Sequence, residues 1–237
     1  MSNLKAALDV GDDILVPKLT TDVKEIVKST RGSKTRVRSA TRVFALNESP
    51  EGDAQIAKWL QQKNVESVML GLHDIVASHE KVDRFCHLLG ERLLQGLPST
   101  AWYWCVQTLL LMRHPDALVY VLDAAEQSSH GSPGTIGLLA RGGKLKHESE
   151  RVKDYIARWE STSHLDNATH WWILAKLGDE TAYNALINLC LNGPMEADHA
   201  MRAAQALSHI HKWNAPWGID GTEMVRVKLR QQSKESD

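Results

Sequence analysis

The sequence contains no apolar run that approaches the roughly eighteen to twenty residues needed to cross a membrane. Its N-terminus, MSNLKAALDVGDD, lacks the apolar segment of a secretory signal peptide. Only three cysteines are present, Cys86, Cys105 and Cys190, and their spacing fits no zinc motif. These absences argue against a spanning helix and against a disulfide framework. They predict a cytoplasmic protein with buried free thiols.

Catalytic signatures are also absent. The chain has no Gly-x-Ser-x-Gly motif, phosphate-binding loop or dinucleotide fingerprint. Glu196 and His199 have the Glu-x-x-His spacing that occurs in di-iron bundles. Those sites need a second such motif and two further glutamates, and the sequence offers no second Glu-x-x-His. Glu196 therefore fits better as an acidic residue favoured near a helix N-terminus.

Two other pairs resemble active-site residues only superficially. His209 and His211 lie two positions apart, so on a helix their side chains point in different directions. Cys86 and His87 are adjacent and cannot face each other on a helix. We therefore predict no catalytic residue, no metal and no cofactor. An enzyme is the third functional hypothesis, after the two that are given at the end of this subsection.

Acidic residues are missing from one segment of an otherwise acidic chain. The formal net charge of the whole chain is −1, whereas residues 28–42 contain no Asp or Glu and these basic residues: Lys28, Arg31, Lys34, Arg36, Arg38 and Arg42. Because this stretch offers little apolar surface to bury, we predict a mobile basic arm within an N-terminal segment of residues 1–48. Such an arm can contact phosphates or an acidic partner, or it can be only a soluble linker.

Helical periodicity dominates the rest of the chain. The segment from Val65 to Val76 carries apolar residues at spacings of three and four throughout. Ser49 and Pro50 fit an N-cap followed by the first helical position. No segment alternates with period two for long enough to predict a strand. We therefore predict an all-α protein with a helical domain at residues 49–220 and a C-terminal helix with a polar tail at residues 221–237.

The clearest succession of helices spans residues 166–210. The first helix ends at Gly178, which suits the left-handed C-terminus of a helix, and Asp179 caps the next one. That second helix ends at Gly193 and Pro194. Three consecutive helices with very short turns are therefore expected here.

This order of residues resembles the helical repeats of the HEAT and armadillo type. The resemblance rests on Leu177-Gly178-Asp179, then on Ala182, Ala185 and Leu186, and then on Arg202, Ala203, Ala204, Ala206 and Leu207. A second hairpin at about residues 100–126 aligns with it at a constant offset, which pairs Trp104 with Trp172, Ala117 with Ala185, Leu118 with Leu186, and Leu122 with Cys190. The resemblance implies an irregular α-solenoid of about eight to ten helices arranged in hairpins.

Tryptophan is abundant, with eight residues beside only two phenylalanines, and six of the eight lie in close pairs. These pairs are Trp102 with Trp104, Trp171 with Trp172, and Trp213 with Trp217. In the first two pairs one ring can enter the core while the other lies at its margin. Exposed tryptophan is a typical anchor of protein interfaces. The alternative is that all of these rings pack between the helices of the solenoid.

We therefore predict a protein–protein interaction module, an adaptor, scaffold or inhibitory partner that binds a basic or polar segment of another protein. The resemblance to helical repeats places the second helix of each hairpin on the binding face. The candidate residues are Asp116, Asp123, Glu180 and Asn184, together with Trp213 and Trp217 in a loop. The alternative is a nucleic-acid-associated protein that uses the basic arm. No membrane partner is expected.

Overall fold

The computed structural model describes residues 23–62, 65–127, 133–141, 145–160 and 167–235. Within these ranges the protein is all-helical, with thirteen α-helices, two 3₁₀ helices and no strand. The all-α prediction is therefore confirmed, although the helices outnumber the eight to ten expected. The chain forms two compact units, Met1–Ser128 and Ser129–Asp237.

The first unit is built from seven described α-helices. They are α1 (Val23–Ser29), α2 (Lys34–Asn47), α3 (Pro50–Leu60), α4 (Val65–Val76), α5 (Cys86–Leu94), α6 (Ser99–Leu111) and α7 (Ala117–Gln127), with a 3₁₀ helix at Glu80–Phe85. Helix α4 packs against both α2 and α6, and α5 packs against α7. Large apolar side chains with almost no exposed surface form the core of this unit, among them Phe44, Ile56, Met69, Leu72 and Leu89.

The second unit contains six described α-helices. They are α8 (Pro133–Arg141), α9 (Ser149–Glu160), α10 (Asn167–Lys176), α11 (Glu180–Asn192), α12 (Asp198–His211) and α13 (Ile219–Glu235), with a 3₁₀ helix at Leu145–Glu148. Helices α10, α11 and α12 all contact one another, and α13 packs against α11 and α12. Alanines of α12 that are almost fully buried allow this close packing: Ala200, Ala203, Ala204 and Ala206.

The turn between α10 and α11 forms as its residues predict. Gly178 has a φ of 96°, in the left-handed region that glycine adopts at low cost. The Asp179 carboxylate accepts a hydrogen bond of 2.9 Å from the backbone N–H of Ala182. Leu186 and Cys190 have no exposed surface, so the predicted apolar stripe of α11 is part of the core.

The two aligned hairpins, α6–α7 and α10–α11, agree at some positions and differ at others. Leu118 and Leu186 are both buried. Trp172 is buried, whereas its counterpart Trp104 is only half-buried. Helix α7 begins at Ala117. In both hairpins the first helix packs against the second.

The basic segment differs most from its prediction, because it is largely helical. Helix α2 begins after Ser33, whose hydroxyl oxygen accepts a hydrogen bond of 3.3 Å from the backbone N–H of Arg36. One face of α2 is buried, at Val37, Ala40, Thr41 and Phe44. The expectation of a mobile arm at residues 28–42 is therefore corrected to the end of α1, a turn and the first half of α2.

The physical reason is that, within residues 34–42, α2 buries mainly small side chains and backbone. Gly71 of α4 is the point of contact, where an added Cβ would lie 2.7 Å from the carbonyl oxygen of Arg38 and 2.8 Å from Cβ of Thr41. Helices that meet at glycine, alanine and threonine contact each other closely without large apolar residues. A sequence reading that looks for bulky apolar residues therefore misses such a helix.

None of the helices in the described ranges is long and apolar enough to cross a membrane. Cys86, Cys105 and Cys190 are free and buried, as their apolar surroundings predicted.

Candidate functional site

The loop that joins α12 to α13 is anchored to α12 by hydrogen bonds from its backbone. The Ser208 carbonyl oxygen accepts a hydrogen bond of 2.9 Å from the backbone N–H of Trp213, and the Ser208 hydroxyl oxygen accepts one of 2.9 Å from the backbone N–H of Ala215. Lys212 and Asn214 adopt left-handed backbone conformations, with φ of 58° and 53°. The loop is therefore anchored at its beginning by one residue of α12.

Trp213 of this loop lies between a side chain of α12 and a side chain of α13. Its ring lies 4.3 Å from the His211 ring, with an angle of 11° between the planes, and Nζ of Lys228 lies 5.5 Å above it. His211 Nε2 is in turn 2.7 Å from the Tyr183 hydroxyl of α11. Burial lowers the pKa of His211 and raises the pKa of Tyr183. Trp213 thus helps to fix the loop in position.

Trp217 and Ile219 form what we call the Trp217 surface. Trp217 is 53% exposed and Ile219 is 52% exposed, and the two are separated by a single residue at the start of α13. Glu223 and Val227 continue the same exposed side of α13 at intervals of four residues. Two large apolar side chains are therefore exposed close together in sequence at the start of α13, and contiguous exposed apolar patches are common at binding sites.

The four polar residues predicted for the partner-binding face belong to both units. Glu180 and Asn184 are exposed on α11 of the second unit. Asp116 and Asp123 are half-buried, before and within α7 of the first unit. The two residues of α11 therefore belong to the second unit, and the two aspartates belong to the first unit.

The basic residues of the segment 28–42 are divided between solvent and internal contacts. Lys28, Arg31 and Lys34 are exposed. Arg38 donates two hydrogen bonds to the Asp74 carboxylate, from Nε at 2.6 Å and from Nη2 at 2.5 Å. These hydrogen bonds, together with the charge of Asp74, raise the pKa of Arg38.

A second arginine of the segment also makes an internal contact. Arg36 donates to the backbone carbonyl of Ser29 at 3.3 Å, so part of the positive charge of the segment is used to fix α2 in place.

A cluster of histidines and a carboxylate lies in the first unit, where the sequence predicted no metal or catalytic site. His87 extends from the first turn of α5, and His114 and Asp116 lie in the connection between α6 and α7. The two imidazole rings are 4.8 Å apart with their planes at 80°. One ligand atom of each of the three side chains lies within 4.8 Å of the others.

Individual distances define the geometry of this cluster. His87 Nε2 and His114 Nδ1 each lie 3.9 Å from Oδ2 of Asp116. His87 Nδ1 lies 3.1 Å from the Tyr120 hydroxyl of α7. His114 Nδ1 also accepts a hydrogen bond of 3.3 Å from the Asp116 backbone N–H. The side chains of His87 and Asp116 are 57% and 51% exposed, so both can rotate.

Negative charges act on Tyr120, which contacts His87 of the cluster. Burial is the first cause that raises the pKa of Tyr120, and the negative charges of Glu91, Asp116 and Asp123 add to it. The neighbouring thiol of Cys86 is not a nucleophile, because burial, with smaller contributions from Asp116 and Asp83, raises its pKa to about 12. The site can therefore attract cations, but it lacks a nucleophile in Cys86.

The sequence carried only a weak signal for this cluster. His114 and Asp116 flank Pro115, and this spacing brings an imidazole and a carboxylate together in a turn. His87 reaches them only because α5 packs against α7. A search limited to residues close in sequence could not find the third member.

Comparison with known proteins adds no relative, since no family model, curated protein or solved structure matches the chain. The resemblance to HEAT and armadillo repeats stays a prediction.

Proposed function

We propose that this protein is a protein–protein interaction module, built from HEAT-like helical hairpins, that binds a partner protein through the Trp217 surface of its second unit. The observation that carries the proposal is the joint exposure of Trp217 and Ile219 beside an anchored aromatic loop. A rigid aromatic side chain loses little conformational entropy on binding and contributes a large contact area.

The anchoring of the loop supports this function. His211 and Trp213 are stacked, and Ser208 fixes the backbone of the loop by two hydrogen bonds. The loop is therefore ordered before a partner arrives, which lowers the entropic cost of association. Trp217 follows four residues after Trp213.

The charges near the surface indicate the chemistry of the partner. Asp220 and Glu223 are exposed in the first turns of α13, next to Ile219. Glu180 and Asn184 add exposed polar groups on α11, which packs against α13. A segment that presents an apolar side chain flanked by lysine or arginine matches this arrangement, and it agrees with the basic or polar partner segment expected from the sequence.

Photo-crosslinking from a single position tests the proposal. A photoreactive amino acid replaces Trp217 in the full-length chain, and in a matched control it replaces Leu111, which is 45% exposed on the first unit. We expect a discrete cross-link to one other protein from position 217 and none to that protein from position 111. The captured protein is then purified, and its affinity for the unmodified chain is measured.

Two outcomes would contradict the proposal. One is cross-linking of the same proteins from both positions, which would indicate nonspecific apolar contact. The other is a cross-link from position 217 only to a second copy of this chain, with a molar mass in solution of twice the monomer value. The Trp217 surface would then be a homodimer interface.

A further inference from the structure

We propose that His87, His114 and Asp116 bind a divalent transition-metal ion of the zinc class, held between α5 and the turn that precedes α7. This site lies in the first unit and is independent of the Trp217 surface. Its members are two imidazoles and one carboxylate, which are ligands that Zn²⁺ takes in proteins.

The distances fit a site that closes around an ion by rotation of its side chains. Ligands bonded at 2.0–2.1 Å to a tetrahedral zinc ion are separated from one another by about 3.3 Å. His87 Nε2 and His114 Nδ1 are each 3.9 Å from Oδ2 of Asp116, so each of these gaps must close by about 0.6 Å. The three ligand atoms lie within 4.8 Å of one another, so the widest gap must close by at most about 1.5 Å. The exposed side chains of His87 and Asp116 can make this adjustment without moving the helices.

Tyr120 orients the first imidazole for this role. Its hydroxyl lies 3.1 Å from His87 Nδ1, while His87 Nε2 faces Asp116. When the Nδ1–H of His87 donates a hydrogen bond to the Tyr120 oxygen, the lone pair of Nε2 is available to a metal. Metal-binding histidines in proteins ordinarily donate a hydrogen bond from the N–H of their second ring nitrogen. The ring of Tyr120 lies directly against Gly90 of α5, which holds the hydroxyl in position.

His114 supplies the second imidazole from the opposite side. Its Nδ1 accepts a long hydrogen bond of 3.3 Å from the Asp116 N–H, which fits the tautomer with its proton on Nε2. A metal ion competes with that bond and replaces it with a stronger interaction. The carboxylates of Glu91 and Asp123 near Tyr120 add negative charge, which favours a dication over an uncharged ligand.

Three protein ligands leave a fourth position for water, so the site resembles an open metal site more than a closed structural one. A bound ion also connects α5 to the residues before α7. Because the ion binds the folded state, it raises the free energy of unfolding according to its concentration and affinity.

The test is a titration of the full-length chain with Zn²⁺ alone, by calorimetry, after removal of metals with a chelator. We expect one ion per chain at the tightest site and a rise in melting temperature. His87→Ala, His114→Ala and Asp116→Asn should each weaken that binding at least tenfold. Tyr120→Phe, which removes only the orienting hydroxyl, should weaken it by about 10- to 100-fold.

The matched control is His79→Ala, which removes an exposed histidine of the same unit outside the cluster. Its affinity should equal that of the unchanged chain. The visible absorption of bound Co²⁺ gives a second measurement, because its intensity separates four-coordinate from six-coordinate ions.

The proposal is overturned if the unchanged chain binds no ion at this site. It is equally overturned if the cluster variants, with helical content intact, bind Zn²⁺ as the unchanged chain does, or if His79→Ala weakens binding as much as they do.

Discussion

Replacing Gly71 by alanine probes whether the basic segment packs as a helix on α4. The new Cβ would lie 2.7 Å from the Arg38 carbonyl oxygen and 2.8 Å from Cβ of Thr41. Non-bonded carbon atoms are comfortable at about 3.5–4.0 Å. Both obstacles belong to the backbone or to the first side-chain atom of α2, so no side-chain rotation relieves them, and α2 must move away from α4.

The expected magnitude combines two opposing effects. Overpacking a tight contact costs about 1–3 kcal/mol. Alanine is a better helix former than glycine by about 1 kcal/mol, which offsets part of that cost. We expect Gly71→Ala to lower the free energy of unfolding by about 1 kcal/mol, or the melting temperature by about 4 °C.

Gly137 supplies a matched control in another helix. It lies within α8, and an added Cβ there has no atom within 4 Å. Gly137→Ala should therefore raise the free energy of unfolding by roughly 0.5–1 kcal/mol. Urea denaturation followed by far-ultraviolet circular dichroism measures both variants, and amide hydrogen exchange of peptides from α2 locates the effect of Gly71→Ala.

The sign of the change in the free energy of unfolding of Gly71→Ala decides whether α2 packs against α4. A stabilising Gly71→Ala, with unchanged hydrogen exchange in α2, would show that α2 does not contact α4 at this point. The assignment of residues 34–47 to a packed helix would then be wrong.

Three further predictions follow from the core of the second unit, from three partly exposed histidines and from the packing of α2. Leu186→Asp should unfold the second unit, because Leu186 has no exposed surface and an unpaired buried carboxylate costs several kcal/mol. The control Asn184→Asp, at an exposed position of the same helix, should leave the melting temperature unchanged. Burial lowers the pKa of His73, His209 and His211, so the unfolded chain binds more protons than the folded chain. The urea midpoint of unfolding should therefore fall as the pH drops below about 6.5. The fall should be smaller in His211→Gln. A midpoint independent of pH down to about 5.5 would contradict this. Trypsin should cleave slowly after Arg38 and Arg42, because both lie in the packed helix α2, and rapid first cleavage there would instead support a mobile arm.

Features that depend on neighbouring residues could be predicted from the sequence. The cap at Ser49, where the hydroxyl oxygen accepts a hydrogen bond of 3.0 Å from the backbone N–H of Gly52, follows from local chemistry. The same holds for Gly178 and Asp179 between α10 and α11. Within two tryptophan pairs, the buried rings of Trp102 and Trp172 also agree with the prediction of one core ring in each.

Features that depend on distant residues could not be predicted in the same way. The burial of α2 is visible only once Gly71 lies against Arg38 and Thr41, some thirty residues away along the chain. The metal-ligand cluster likewise needs the packing of α5 against α7 to bring His87 to Asp116. In both cases the residue types are common, and their structural role depends on a contact between distant residues that a single sequence does not specify.

The measurement that tests the proposed function most directly is the dissociation constant of the partner captured at position 217. It should be compared for the unchanged chain, Trp217→Ala and Leu111→Ser, the last of which removes an exposed apolar side chain outside the Trp217 surface. Truncating an interface anchor costs about 2 kcal/mol or more, so we expect Trp217→Ala to weaken binding by about 30-fold, with Leu111→Ser close to the unchanged chain. Equal affinities of the unchanged chain and Trp217→Ala would contradict the assignment of partner binding to the Trp217 surface.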